Sequence, residues 1–281
     1  MRRRVFSLAA VGLLAAATGA ATALGDGGPS PGVAQGWDGV ARGKLRYVAI
    51  PTGDGTVVEA IGRRNGRVLR WVTLPGNYGI PQVAFDGTTD GLARDGRTLV
   101  LGDVATSAPL RPSSSFAVVD VRRFRLRSTI RLRGDFSFDA LSRDGRMLYL
   151  VEHVSAQDTS RYRVRAYDIG ARRLLARMVT DKTRWQSVMQ GVPVSRASAK
   201  DGRWAYTLYG GNRHPFVHAL DTQRANAVCI DLPRRWQKLD LFGLRLSVRP
   251  DAKLVVRHLP GGRPLAVIDT KTFRVLGAAR G

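Results

Sequence analysis

One cysteine, Cys229, is present in 281 residues, so no internal disulfide can staple the fold and a packed core must hold it. Lysine is scarce as well: six of the 45 basic residues are Lys and 39 are Arg. Beyond Leu24 there is no second long apolar run, so no further membrane-spanning helix is expected. Nor does any stretch past that point carry a helical hydrophobic period. Catalytic spacings are missing too: no G-x-S-x-G elbow, no H-E-x-x-H, no C-x-x-C and no Walker loop. "DGTTDG" from Asp86 starts like a calcium loop. It has Thr88 at a ligand position and Arg97 where the bidentate Glu belongs, so it reads as a turn. His214 and His218, four apart on a strand, would lie about 13 Å from each other, too far to share one metal. No cofactor or metal is therefore expected. Enzymatic activity stays open, with a non-enzyme as the leading reading.

What is present begins with the leader. Arg2, Arg3 and Arg4 precede an apolar run from Val5 to Leu24 that ends in the small-x-small phrase Ala21-Thr22-Ala23. This reads as a signal peptide at 1–23, the competing reading being an uncleaved anchor. Arg3-Arg4-Val5-Phe6 also satisfies the twin-arginine core, although arginine-rich heads serve the general secretory route as well. Residues 24–37 are Gly/Pro/Ser-rich and read as a flexible lead-in, leaving 38–281 as one domain. The expected location is extracytoplasmic, secreted or associated with the envelope. Net charge is +23. One reading is a genome that favours arginine on solvated strand faces. The other is a surface that holds an anionic envelope polymer or lipid headgroups; export makes nucleic acid the least fitting partner.

A phrase recurs. "RDGRTLVLGD" from Arg94 returns as "RDGRMLYLVE" from Arg143, and looser copies are "KDGRWAYTLY", "RPDAKLVVRH" and "ARGKLRYVAI". Each copy holds short segments rich in Val, Leu and Tyr, separated by Asp-Gly, Ser/Thr or Gly, which are strand and hairpin signals. The Asp-Gly pairs at 95–96, 144–145 and 201–202 are expected to supply the positive-φ residues of a tight hairpin. A second anchor repeats with it: Asp120, Asp168, Asp221 and Asp269 close the third segments, and Gly62 fills that slot in the first copy. Five four-stranded units of about 50 residues mark an all-β fold, a β-propeller of five blades with six as the alternative. A two-sheet sandwich has no reason to repeat its hairpin phrase. Closure is expected through antiparallel contact between the first and last units.

"DGRTLVL", "DGRMLYL", "VVDV" and "VIDT" make the chain resemble the YVTN-type and TolB-like bacterial propellers, distantly WD-repeat-like, over residues 38–281. The resemblance implies the fold and leaves the function open, since this fold hosts enzymes and binders alike.

Loops joining fourth to first and second to third strands crowd one rim, the face that propellers generally use for ligands. Tyr78, His153, Trp185, Arg213, Trp236 and His258 fall there, as a carbohydrate or anionic ligand would require; the alternative is that Trp185 and Trp236 plug gaps between blades. Asp38, Asp90 and Asp139 open three first strands, and an acidic set of this kind supplies acid, base or nucleophile in a propeller glycosidase. The fourth and fifth units offer Arg196 and Leu246 in that slot, which counts against such a set. Arg123, Arg125 and Arg127 are expected to form one outer row, and Arg161, Arg163 and Arg165 another. The leading reading is a non-catalytic module that binds an anionic polymer or a protein. A hydrolase or lactonase is the alternative, and a structural part of a larger assembly a third.

Overall fold

Each repeat folds as its own antiparallel sheet from consecutive strands, because every hairpin turn returns the chain beside the strand it has just left. The structure, a computed structural model, describes residues 31–34, 37–104, 110–181, 188–211, 213–258 and 262–278. The expected signal at 1–23 and Trp185 lie outside the described residues. Blade I comprises Val40–Arg42, Leu45–Pro51, Gly55–Gly62 and Val68–Pro75. Blade II comprises Tyr78–Pro81, Thr98–Asp103, Ser113–Asp120 and Arg125–Arg133. Blade III has Phe136–Leu141, Met147–His153, Arg161–Asp168 and a short Arg173–Leu174. Blade IV runs through Val192–Ser198, Trp204–Gly210, Phe216–Asp221 and Asn226–Asp231. Blade V ends the chain with Leu244–Val248, Lys253–His258, Pro264–Asp269 and Val275–Ala278. The fold is a five-sheet β-propeller.

Two carboxylate turns explain the repeated phrases. In the inner turn Gly96, Gly145 and Gly202 take φ of 68°, 67° and 77°. Asp95, Asp144 and Asp201 accept the N–H two residues on, at 2.9, 3.1 and 3.0 Å. Only the glycine has positive φ; the aspartate serves through its carboxylate. The turn is thus a four-residue loop closed by Ala93 N–H to Thr98 O and its equivalents, Ser142 to Met147 and Ala199 to Trp204, not a two-residue hairpin. In the outer turn Asp120, Asp221 and Asp269 accept from the N–H groups two and three residues on, and Asp168 from Ala171. Four residues after each, Phe124, Arg172, Ala225 and Phe273 have positive φ. A left-handed non-glycine residue costs about 1–2 kcal/mol. Hydrogen bonds to a buried charged acceptor such as Asp221 return about 1.5–3 kcal/mol each, enough to offset it. Blade I has no carboxylate at Gly62, and its fourth residue on is Gly66, which takes φ 65° at little cost.

Four apolar clusters join the blades. Tyr47, Val58 and Leu74 of blade I meet Leu99, Leu101 and Val119 of blade II. Phe116 and Ile130 of blade II meet Phe138 and Leu150 of blade III. Tyr149 and Tyr162 of blade III meet Tyr209 and Leu220 of blade IV. Tyr206 and Leu208 of blade IV meet Leu254 and Val256 of blade V. Val48 and Val255, on the opposite faces of blades I and V, are fully buried but belong to none of these clusters. Among the described residues no strand pairing joins blade V to blade I, so the expected antiparallel closure is not observed there.

Two further differences matter for the site. Val33–Ala34, within the expected lead-in, pairs with Tyr78–Pro81 as an extra strand of blade II. Blade II therefore starts its first strand at Tyr78, well before Asp90. The intervening residues cross the channel, where Phe85 and Asp86 N–H groups donate to Pro193 and Val194 carbonyls of blade IV.

Gly66 and Gly145 share the left-handed conformation but not the surroundings. A Cβ on Gly66 meets nothing within 4 Å, whereas one on Gly145 would lie 2.7 Å from Thr98 of blade II. Gly66→Ala should cost about 1–2 kcal/mol, the conformational penalty alone. Gly145→Ala should cost a further ~1–3 kcal/mol for overpacking between blades. Equal shifts of the two urea midpoints would show that the inner turn does not seat one blade on the next.

Candidate functional site

The slot five residues before each inner-turn aspartate holds Asp90, Asp139 and Arg196 in blades II, III and IV. The propeller brings these equivalent positions around its channel. Asp139 lies within Phe136–Leu141 at a register shift between Phe138 and Ala140, and a similar shift between Pro193 and Ser195 precedes Arg196. Such bulges re-aim a side chain without ending the strand. Asp90 follows the crossing segment; its Oδ1 accepts Gly91 N–H at 2.8 Å.

Arg196 is 95% buried and Asp139 96%, as exposures of 5% and 4% record. Arg196 Nη2 donates to Asp139 Oδ1 at 2.8 Å and also to the Asp139 carbonyl, while Nη1 donates to Thr207 Oγ1. The Arg196 backbone N–H is held by Asp86 Oδ2 at 3.3 Å. Burial alone would lower the guanidinium pKa, but Asp139 and Asp90 outweigh it and hold the group charged. Asp90 is pushed above its ordinary carboxylate value by burial, against the pull of Arg196, the Gly91 N–H and Arg94.

A cavity of about 240 Å³ opens beside this trio, towards the rim of the inner turns. Arg42, Arg94 and Arg196 bring positive charge to its wall, Asp90 the one carboxylate, and Thr88, Thr89, Ser198 and Thr222 hydroxyl-bearing side chains. Arg196 Nε has no hydrogen-bond partner. Arg42 and Arg94 each reach a carbonyl of the neighbouring turns, Ala93 and Ala199, which fixes where their charges sit. The site can take a compact anionic group. Asp38 is exposed and does not line the cavity, so the three expected carboxylates do not assemble into one set.

The expected ligand rim is the opposite one, and its residues are dispersed. Tyr78 is buried in the blade I–II core with its hydroxyl 3.0 Å from Ser115. Trp236 is buried in the blade IV–V core, the gap-filling alternative. His153 is buried, 3.2 Å from Ser137 Oγ, and burial lowers its pKa. Arg213 is exposed and His258 half-buried. One ordered charge on that rim is a residue the sequence did not single out. Arg111 bridges Asp103 at 2.9 Å and Asp135 at 2.8 Å. His214 pairs with Asp231 at 2.9 Å while His218 is buried between strands, and among the described residues no group of three His, Cys, Asp or Glu could hold a metal. Asp86 caps Thr88 N–H and Oγ1, the turn expected of "DGTTDG".

No protein-family model and no curated protein matches the chain. Solved structures similar to it are propellers. A dihydro-heme d1 dehydrogenase, NirN, is 12% identical with a TM-score of 0.50, covering 89% of this chain and 47% of that one. A puromycin hydrolase is 15% identical with a TM-score of 0.50, covering 86% and 37%. TolB from Acinetobacter baumannii is 14% identical with a TM-score of 0.46, covering 84% and 53%. The chain spans less than two thirds of the length of each. At these identities the likeness to the first two, at a TM-score of 0.50, goes no further than the fold and carries no chemistry with it.

Losing the carboxylate of Asp139 would leave Arg196 as an uncompensated buried charge. Asp139→Asn should therefore cost about 3–5 kcal/mol in chemical denaturation at pH 7. Asp90→Asn should keep or gain stability at pH 7, because a carboxylate whose pKa is raised on folding opposes folding when ionised. A large loss in Asp90→Asn, or none in Asp139→Asn, would mean that the ion pair has been assigned to the wrong carboxylate.

Proposed function

We propose that the chain is a non-catalytic binding module that receives an anionic group of an envelope polymer or protein partner at its channel. One observation carries the reading: Arg42, Arg94 and Arg196 line a cavity whose lining holds a single carboxylate, Asp90, and the second carboxylate, Asp139, is committed to Arg196. A hydrolase of the two-carboxylate kind needs both groups free to exchange protons or attack. The exported location expected of the leader places the partner in the envelope and belongs to the same proposal. So does the finer likeness of the repeat phrase to YVTN-type and TolB-like propellers.

Titration calorimetry with poly(glycerol phosphate), beside turnover assays with glycosides and lactones, tests it. Binding without turnover is expected. Burial raises the Asp90 carboxyl above its ordinary value, so its charge is lost earlier as pH is lowered from 7 and affinity should rise in that direction. Asp90→Asn should bind about three- to tenfold tighter at pH 7, with a flatter pH profile, the effect of removing one like charge within a screening length. Turnover that disappears in Asp90→Asn would establish the hydrolase instead.

A further inference from the structure

The outermost strands of blades I and V both expose apolar side chains, Val275 and Leu276 in blade V, and that of blade I adds an exposed tryptophan. Val68–Pro75 exposes Val68, Leu69 and Trp71 in four consecutive positions, Leu69 by 56% and Trp71 by 66%. A register shift between Ala60 and Ile61 leaves Leu69 out of the pairing, so it is not drawn into either inter-blade core. An edge strand is normally protected by charge or covered. Here the apolar side chains stand open, and the charge surrounds them. The turn that leads into the strand exposes Arg63, Arg64 and Arg67. On the other side Arg70 donates to Arg122 O at 2.8 Å and lies 4.9 Å above the Phe124 ring, which ties this edge to the outer turn of blade II. That turn and the strand after it expose Arg122, Arg125 and Arg127.

The acids nearby do not cancel this field. Asp120 is taken by the N–H groups of its own turn and by Arg123 at 3.4 Å. Glu59 pairs across from Trp71 and is half-buried. The outer row expected of Arg123, Arg125 and Arg127 is broken by a shift between Val118 and Val119, which leaves Arg127 out of register; the basic surface is instead a patch that spans two blades.

We propose that this outer wall docks on an anionic lipid bilayer, with Trp71 and Leu69 entering the interfacial layer and the arginines resting on the headgroups. Charge complementarity selects a polyanionic surface, and the apolar triplet selects one with hydrocarbon beneath the charge. Trp at the edge of such a patch is suited to the interface, where its ring is buried and its N–H remains hydrated. A soluble polyanion satisfies the arginines but offers nothing to Leu69 and Trp71. The face is separate from the channel, so the proposal stands whatever the channel binds.

Co-sedimentation with vesicles at 0.15 M salt tests it, using phosphatidylcholine alone and phosphatidylcholine with 30% phosphatidylglycerol. The chain should bind the anionic vesicles and not the neutral ones. Brominated lipid should quench a part of the fluorescence that Trp71→Phe removes. Replacing Arg63, Arg64 and Arg67 with Gln should lower vesicle affinity about tenfold or more. Leu69→Ser with Trp71→Ser should lower it comparably while heparin retention stays unchanged. All these positions are exposed, and thermal melts confirm that each variant folds. Absence of vesicle binding overturns the proposal. So does a Leu69/Trp71 double variant that binds vesicles like the parent, the outcome expected of a soluble-polyanion surface.

Discussion

A guanidinium buried at the axis of a propeller must be satisfied from the blades around it, and Arg196 sets the terms for this structure. Desolvating such a charge costs several kcal/mol, which only a close carboxylate and further hydrogen bonds can return. Asp139 of blade III supplies the carboxylate, Thr207 of blade IV a hydroxyl, and Asp86 from the crossing segment of blade II holds the backbone beneath it. Blades III and IV are thus fixed to one another by one side chain, and blade II is tied to them through the backbone of the same residue. The cavity beside it inherits its positive wall from that arrangement.

The periodic turns make this possible. Inner-turn aspartates and glycines give blades II, III and IV the same hairpin, and outer-turn aspartates hold a left-handed residue four positions on in blades II to V. With both ends of blades II, III and IV set alike, residues at matching sequence positions arrive around one channel. Asp90, Asp139 and Arg196 meet because they are the same position in three copies.

Much of the fold was legible for the same reason. Asp95, Asp144 and Asp201 announced the inner turns, and Asp120, Asp168, Asp221 and Asp269 the outer ones, since a local carboxylate–backbone bond leaves a local signature. The site was half legible. Asp90 and Asp139 stood out by spacing, but Arg196 in the same slot seemed to interrupt an acidic ring when it completes an ion pair. Charge pairing across blades is a long-range fact that no local pattern carries. The crossing segment, with Phe85 and Asp86 bonded to blade IV, was hidden because it has no period. Tyr78 and Trp236 illustrate a third limit: an aromatic in a loop reads as accessible until packing shows it inside a core.

The carboxylates accordingly play unequal parts. Asp139 is structural, Asp90 is a tunable negative charge on an otherwise positive cavity, and Asp38 stands apart. The account is tested most directly by anomalous diffraction from crystals soaked in sodium bromide, since bromide reports where the molecule holds a small anion. A bromide peak inside the cavity, between Arg42, Arg94 and Arg196, is the result the account predicts. Bromide confined to the outer arginines, with none in the cavity, would contradict it.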